Sequence, residues 1–136
     1  MAINRLMIVL IIASGLIHMA SAKSGKATFY TEYTPSACYE NKHEGTMIAA
    51  ANPSLYNNGK ACGQRYRIRC TGGTNHGDKP CRNGHVTVKI VDLCPDCASN
   101  QLDLSKQAFS KIGNPDAGVI RINYSLNGGR YVGSSN

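Results

Sequence analysis

The sequence predicts a small, mainly β domain that closes into a compact barrel and is cross-linked by disulfides. Short alternating apolar patterns, frequent turn residues and a single convincing helix favour β structure over a helical bundle. Six cysteines in a chain of 136 residues favour cross-linking. Barrel closure removes the exposed edges that an open sheet would present, which suits a monomer.

The first half of the domain contains two candidate strands and a turn. Residues 26–30, Lys-Ala-Thr-Phe-Tyr, predict a first short strand. Residues 47–51 are apolar and fit either a strand or a buried helix, and the pair Asn52-Pro53 ends this segment. Asn57-Asn58-Gly59 predicts a tight turn.

Residues 65–70 predict a half-buried strand with a basic outer face. Apolar residues alternate with arginines here: Tyr66, Ile68 and Cys70 on one side, Arg65, Arg67 and Arg69 on the other. We call these three arginines the arginine stripe. Because they share one face, we expect them to carry much of any affinity for an anionic partner, and salt should weaken that affinity.

The second half alternates between loop, strand and helix. Residues 71–84 predict a loop and residues 85–91 a strand. Residues 105–112 predict the one helix, with Gly113 as its C-terminal cap and Pro115 preventing its continuation. Residues 119–124 predict the closing strand, and residues 127–136 a loose tail. The apolar helix face consists of Leu104, Ala108, Phe109 and Ile112.

The N-terminus has the layout of a secretory signal peptide. Arg5 supplies the positive charge, residues 6–17 form an apolar run, and Ala20-Ser21-Ala22 gives a small-x-small cleavage site. A membrane anchor is the alternative, but the run is shorter than the ~20 residues that a spanning helix needs. The expected organisation is a signal peptide over residues 1–22 and a single secreted domain over residues 23–136.

The chain carries a formal net charge of +7. A small basic exported protein fits an acidic matrix such as pectin, or an anionic membrane surface. Nucleic acid is disfavoured, because the sequence has no run of five basic residues and no aromatic stacking platform.

The six cysteines predict three disulfides, and the sequence alone leaves their pairing open. Cys94-Pro95-Asp96-Cys97 has the CxxC spacing of zinc and redox sites. A four-cysteine zinc site would need a second such motif, and residues 98–101 do not predict the helix that follows a redox motif. We therefore expect structural disulfides, and neither a metal nor a cofactor.

Several segments together resemble the N-terminal domain of expansins. The resemblance covers residues 25–30, 55–63, 86–94, 102–105, 108–109 and 112–113. It implies a six-stranded double-psi β-barrel with one short helix, related to family 45 endoglucanases and barwin. The chain contains no tryptophan and ends after the closing strand, as in the plant natriuretic peptide group of expansin-like proteins. That group implies a secreted, non-enzymatic protein that regulates water and ion homeostasis through a cell-surface receptor.

The same resemblance implies a disulfide pattern. It pairs Cys38 with Cys62, Cys70 with Cys81 and Cys94 with Cys97. The chain departs from the expansin pattern at Arg65, which occupies the place of the second cysteine in Cys-Gly-x-Cys.

The resemblance also implies a polysaccharide groove. Thr28, Asp92 and Asp103 are similar to a threonine and two aspartates that line a groove in bacterial expansin-like proteins, which loosen wall polymers without cutting them. Tyr30 is a further candidate for this groove. Family 45 endoglucanases keep an acidic residue at the position of Asp103. Their catalytic base lies near the start of the domain, where this chain offers Tyr30 and Glu32 but no clear aspartate. We expect no catalytic residue and no enzyme; a wall-loosening module and, less favoured, a glycan-cleaving enzyme are the alternatives.

Each candidate also has a structural interpretation. Asp103 fits the N-terminus of the helix, where the dipole favours a carboxylate, and Asp92 fits a loop carboxylate paired with a lysine or arginine. Asn123-Tyr124-Ser125 is a glycosylation sequon within a predicted strand, so its occupancy stays open. Other tyrosines that could stack sugars are Tyr33, Tyr39, Tyr56 and Tyr66, of which Tyr66 fits a buried position better; His43, His76 and His85 fit the surface.

Overall fold

A computed structural model describes residues 21–127. The predicted signal peptide up to residue 20 and the predicted tail from residue 128 lie outside the described residues. Within residues 21–127, no helix is long and apolar enough to span a membrane.

Six strands close into a barrel, which confirms the predicted fold class. The strands pair in the order β1-β5-β2-β4-β3-β6, with β6 returning to β1. The β1–β5 and β2–β4 pairs are parallel and the other four are antiparallel. The strands are β1 Lys23–Tyr30, β2 Ile48–Ala51, β3 Arg65–Gly73, β4 Val86–Leu93, β5 Gln101–Ser105 and β6 Ile120–Leu126.

The barrel interior is filled by alternate residues of every strand. On β3 and β6 the predicted alternation holds: Tyr66 and Ile68 of β3 point into the barrel, as do Ile122 and Tyr124 of β6. Ile68 is in register with Tyr124. Helix α2, Lys106–Ile112, adds Phe109 and other buried side chains to the same core. The outward positions of the strands are therefore the ones available for function.

Strand β5 is absent from the sequence-based prediction, which treated Leu102-Asp103-Leu104 as the approach to the helix. The segment is only five residues long, and its ladder partners β1 and β2 lie far away in the sequence. Pairing on both edges makes it a strand, and the helix begins one residue later than predicted. Ser105 is the N-cap, and its Oγ accepts a hydrogen bond from the backbone N–H of Ala108 at 3.0 Å.

A short helix, α1 Pro53–Tyr56, was also not predicted. The pair Asn52-Pro53 ends β2 as expected, but it also starts this helical turn, because Asn52 Oδ1 accepts from the backbone N–H of Leu55 at 2.9 Å. Three-residue 3₁₀ turns follow α1 at Asn57–Gly59 and α2 at Pro115–Ala117.

Gly113 ends α2 for a reason other than the one predicted. Its φ is −155°, so the backbone is extended rather than left-handed. A Cβ built on Gly113 would lie 3.0 Å from Ile120 Cδ1. Any larger residue would therefore crowd the Ile120 side chain, which would have to shift by a few tenths of an ångström.

The three disulfides pair as the resemblance implied: Cys38–Cys62, Cys70–Cys81 and Cys94–Cys97. All six cysteines lie within residues 21–127, and none of them is free there. The second bond closes the loop between β3 and β4, and the first ties the segment after β1 to the segment before β3.

Candidate functional site

A row of polar side chains crosses four strands on the outside of the barrel. Thr28 on β1 is in register with Asp103 on β5, Asp103 with Ala50 on β2, and Ala50 with Asp92 on β4. Residues in register on neighbouring strands point to the same side of a sheet. We call Thr28, Asp103 and Asp92 the polar row; Ala50 places a short side chain between its two carboxylates.

A bulge in the β2–β4 pair brings Asp92 into this row. The register shifts between Ala49, which is opposite Ile90, and Ala50, which is opposite Asp92, so Val91 is the extra residue. Without the shift, Ala50 would face Val91 and the Asp92 side chain would be on the opposite side of the sheet. The bulge is therefore what places both carboxylates on one face.

Hydrogen bonds fix the end of the row at β1. The Thr28 hydroxyl donates to Asp103 Oδ1 at 2.9 Å, and Gln101 Nε2 donates to Thr28 Oγ1 at 3.0 Å. Gln101 Oε1 in turn accepts from the backbone N–H of Ala98 at 3.1 Å. The amide of Gln101 thus orients the Thr28 hydroxyl towards the carboxylate, a role that sequence reasoning missed.

Asp103 lies in a strand and faces outwards, so the interpretation as a helix N-terminal residue is wrong. Its side chain is half-buried. Burial raises the pKa of Asp103 above its ordinary value of 3.8; the Thr28 hydrogen bond opposes that rise, and the charge of Asp92 adds to it.

This raised pKa predicts a pH-dependent contribution to stability. The folded protein holds the Asp103 proton more tightly than the unfolded chain does, so the stabilisation is complete below pH 3.8 and is lost as the pH rises through the raised pKa. We expect the melting temperature of Asp103→Asn, minus that of the wild type, to increase as the pH rises from about 3 to 7. Thermal unfolding of both proteins, with the exposed Asp116→Asn as control, checks this; parallel pH curves for the wild type and Asp103→Asn would contradict it.

Asp92 accepts hydrogen bonds from backbone N–H groups and does not pair with a lysine or arginine of the described residues. Its Oδ1 accepts from the backbone N–H groups of Ala37 and Leu93, both at 2.9 Å. Within residues 21–127 the salt bridges are those of Glu44 with Lys42 and Lys89, so the interpretation of Asp92 as an ion-paired loop residue is wrong. Asp92 anchors the segment after β1 beside the polar row, and the Cys38–Cys62 disulfide anchors it further.

Tyr30 lies at the end of β1, two residues beyond Thr28 and on the same face. Its hydroxyl is buried and has no hydrogen-bond partner among the described residues. Burial raises the pKa of Tyr30 strongly, and the charges of Asp92 and Asp103 raise it further. A phenol next to two carboxylates therefore stays protonated and has a hydrogen to donate.

Tyr33 packs beside Tyr30 and connects the loop to helix α2. The two rings meet edge to face with centroids 5.2 Å apart. The Tyr33 hydroxyl donates to Gln107 Oε1 and accepts from the backbone N–H of Lys106. An open cleft of about 490 Å³ adjoins this contact, lined by Thr31, Tyr33, Lys106, Gln107 and Ser110.

The other candidates lie away from the polar row. β1 ends at Tyr30, and Glu32 is exposed beyond it. The arginine stripe is exposed on β3, and Tyr66 is buried against Tyr124. Asn123 is half-buried in β6, where its Oδ1 accepts from Ser24 at 3.2 Å. All three histidines considered, His43, His76 and His85, are exposed.

Comparisons with known proteins agree with this fold. A family model described as lytic transglycolase matches residues 48–124. An EG45-like domain containing protein of Citrus jambhiri is 49% identical over 125 residues, which cover 90% of this chain and 95% of the relative. Expansin-B4 of Arabidopsis thaliana is 38% identical over 100 residues, covering 65% of this chain but 37% of that protein.

Two solved structures extend the likeness. The apo structure of a Clavibacter michiganensis expansin has a TM-score of 0.66 at 25% identity, covering 81% of this chain and 52% of that one. A mutant of that expansin in complex with cellohexaose has a TM-score of 0.63 at 26% identity, covering 79% and 50%. The barrel is therefore a double-psi β-barrel of the expansin type. The chain belongs to the expansin-like family of EG45-like domain containing proteins.

Proposed function

We propose that this protein is a secreted, non-hydrolytic binder of cell-wall polysaccharide, and that the polar row with Tyr30 is its glycan site. The observation that carries the proposal is the alignment of Thr28, Asp103 and Asp92 across four strands, next to the cleft at Tyr33. The expansin that binds cellohexaose has the same fold, which supports a β-glucan as the ligand. Export rests on the predicted signal peptide of residues 1–22, and the proposed location is the apoplast.

The site offers the groups that sugars need. Carboxylates accept hydrogen bonds from sugar hydroxyls, and Asp103 and Asp92 are spaced along one face to receive them. The tyrosine rings beside the row offer apolar faces for the C–H faces of sugars. No cofactor or metal is required for such binding.

Hydrolysis is the competing function, and the spacing of the two carboxylates is the observation in its favour. Two strand spacings separate Asp92 from Asp103, roughly 9–10 Å between their Cα atoms. Inverting glycosidases hold their carboxyl groups ~6.5–9.5 Å apart, and the raised pKa of Asp103 would suit a general acid. Against catalysis, Asp92 Oδ1 is already occupied by two backbone N–H groups, and Glu32 lies beyond the strand. The likeness to expansins also favours binding without cleavage.

A signalling role in water and ion homeostasis is the second candidate, as in the plant natriuretic peptide group. The observation that favours it is size. The EG45-like relative from Citrus jambhiri is matched over 95% of its own length, so that relative has little chain beyond the segment that it shares with this protein. A wall-binding protein and a receptor ligand differ in where they partition. Incubation of the secreted, oxidised protein with wall fractions and with intact protoplasts separates the two functions.

We expect cellohexaose to bind the wild type and to bind Asp103→Asn roughly tenfold more weakly, because a hydrogen bond to a charged acceptor becomes a weaker neutral one. Calorimetric titration of both proteins measures this. Asp116→Asn is the matched control, since Asp116 is exposed and lies in the 3₁₀ turn after α2. Equal affinity of all three proteins would remove the polar row from the binding site, and binding to protoplasts alone would favour the receptor role.

A further inference from the structure

A second cleft lies on the outer face of β3 and β6, across the closed barrel from β5 and β2. Its volume is about 450 Å³, with Ala22, the last residue of the predicted signal peptide, among its lining residues. The polar residues that line it come from three parts of the chain: Arg67 and Arg69 from β3, His85 from the turn before β4, and Asn123 and Ser125 from β6. We call it the β3–β6 cleft.

The cleft is positively charged and lacks an internal counter-ion. Arg67 and Arg69 are exposed, and both salt bridges within residues 21–127 belong to Glu44, on another part of the surface. Arg67 Nη2 lies 3.2 Å from His85 Nδ1, and this contact brings no negative charge into the cleft. Two uncompensated guanidinium groups in a concave site favour an anion.

Each arginine of the cleft is in register with a neutral polar residue on the neighbouring strand. Arg67 is in register with Ser125, and Arg69 with Asn123. Each arginine therefore has a hydroxyl or an amide beside it on the neighbouring strand. The arginines are two residues apart on one strand, so this pair of groups repeats at roughly 7 Å. A repeated combination of one cation and one neutral hydrogen-bonding group fits a polymer whose units each carry a carboxylate and hydroxyls.

We propose that the β3–β6 cleft is a binding site for acidic polysaccharide, a polyuronate, separate from the polar row. Arginine pairs with carboxylates through two parallel N–H···O bonds, and Asn123 and Ser125 can hydrogen-bond the ring hydroxyls. The site does not depend on the glucan site, because the two share no residue and occupy different strands.

The surface is less suited to an anionic membrane. Peripheral membrane binding needs apolar side chains that enter the headgroup region in addition to basic charge. Among the described residues, Leu126 at 44% exposure is the one large exposed hydrophobic side chain, and it does not line the cleft. The polar lining therefore favours a hydrated glycan.

The test compares two doubly substituted proteins that lose the same charge. Arg67→Gln with Arg69→Gln changes the cleft, whereas Lys79→Gln with Lys111→Gln removes two exposed charges that do not line it. The ligand is a galacturonate oligomer at low salt, with cellohexaose as the neutral comparison and phosphatidylserine vesicles as the membrane comparison. Changes at exposed positions leave folding intact, and matched melting temperatures verify this.

We expect the arginine pair variant to bind the galacturonate oligomer roughly tenfold more weakly than the wild type, with cellohexaose binding unchanged. The lysine pair variant should lose much less, and raising the salt concentration should weaken the wild type towards the arginine variant. Equal losses in both variants would show an effect of net charge alone and would overturn the proposal. Failure of the wild type to bind the oligomer, with or without binding to vesicles, would overturn it as well.

Discussion

Replacement of Tyr30 by phenylalanine should make the protein more stable and a weaker binder of β-glucan. The Tyr30 hydroxyl is buried without a hydrogen-bond partner among the described residues, and two carboxylates lie near enough to raise its pKa. A buried polar group left unsatisfied costs about 1–3 kcal/mol, so its removal should raise the free energy of unfolding by up to that amount. In the protein without a ligand, the Tyr30 hydroxyl therefore does not contribute to stability.

The same hydroxyl has a use if a glycan enters the site, because it can donate to a sugar oxygen or to a carboxylate that a sugar has displaced. We therefore expect Tyr30→Phe to bind cellohexaose roughly fivefold to tenfold more weakly while its melting temperature rises. Thermal unfolding and titration of one preparation measure both effects. Wild-type stability would mean that the hydroxyl already has a partner in solution, and wild-type affinity would mean that ligand binding does not use it.

Phe109→Ala should cause the largest loss of stability, about 3–5 kcal/mol in the free energy of unfolding. Phe109 is fully buried where α2 packs on the barrel, and its ring meets that of Phe29 edge to face at 5.0 Å. Its removal leaves a cavity beside β1, the strand that carries Thr28 and Tyr30. Denaturant unfolding measures the loss. Phe109→Leu is the control and should lose much less, because the packing volume is largely kept; equal losses for both variants would contradict a cavity effect.

Strands in which apolar and polar residues alternate clearly were predicted from the sequence. A strand that is defined only by its hydrogen-bonded pairing with distant strands was not. Residues 65–70 and 119–124 alternate strictly, and they form β3 and β6. Ile48–Ala51 is buried on both faces and so has no alternation that distinguishes strand from helix. β5 is short and leads directly into a helix, and only its long-range pairing with β1 and β2 identifies it.

The candidate site was predicted through resemblance, and the contacts that build it were not. Thr28 and Asp103 are 75 positions apart in the sequence, and only the parallel β1–β5 pair brings them to 2.9 Å. The bulge that directs Asp92 outwards depends on the β2–β4 register, which no local pattern reveals. Gln101 was missed for the same reason, because its hydrogen bond to Thr28 crosses between strands.

One experiment with cellohexaose shows whether the protein binds a β-glucan without cleaving it. Cellohexaose is titrated into the secreted, oxidised protein, and the recovered oligosaccharide is then analysed for chain length and reducing ends. We expect saturable binding and recovery of intact cellohexaose, with wild type and Asp103→Asn differing in affinity alone. Shorter products that appear with the wild type and disappear with Asp103→Asn would make Asp103 a general acid and would contradict non-hydrolytic binding.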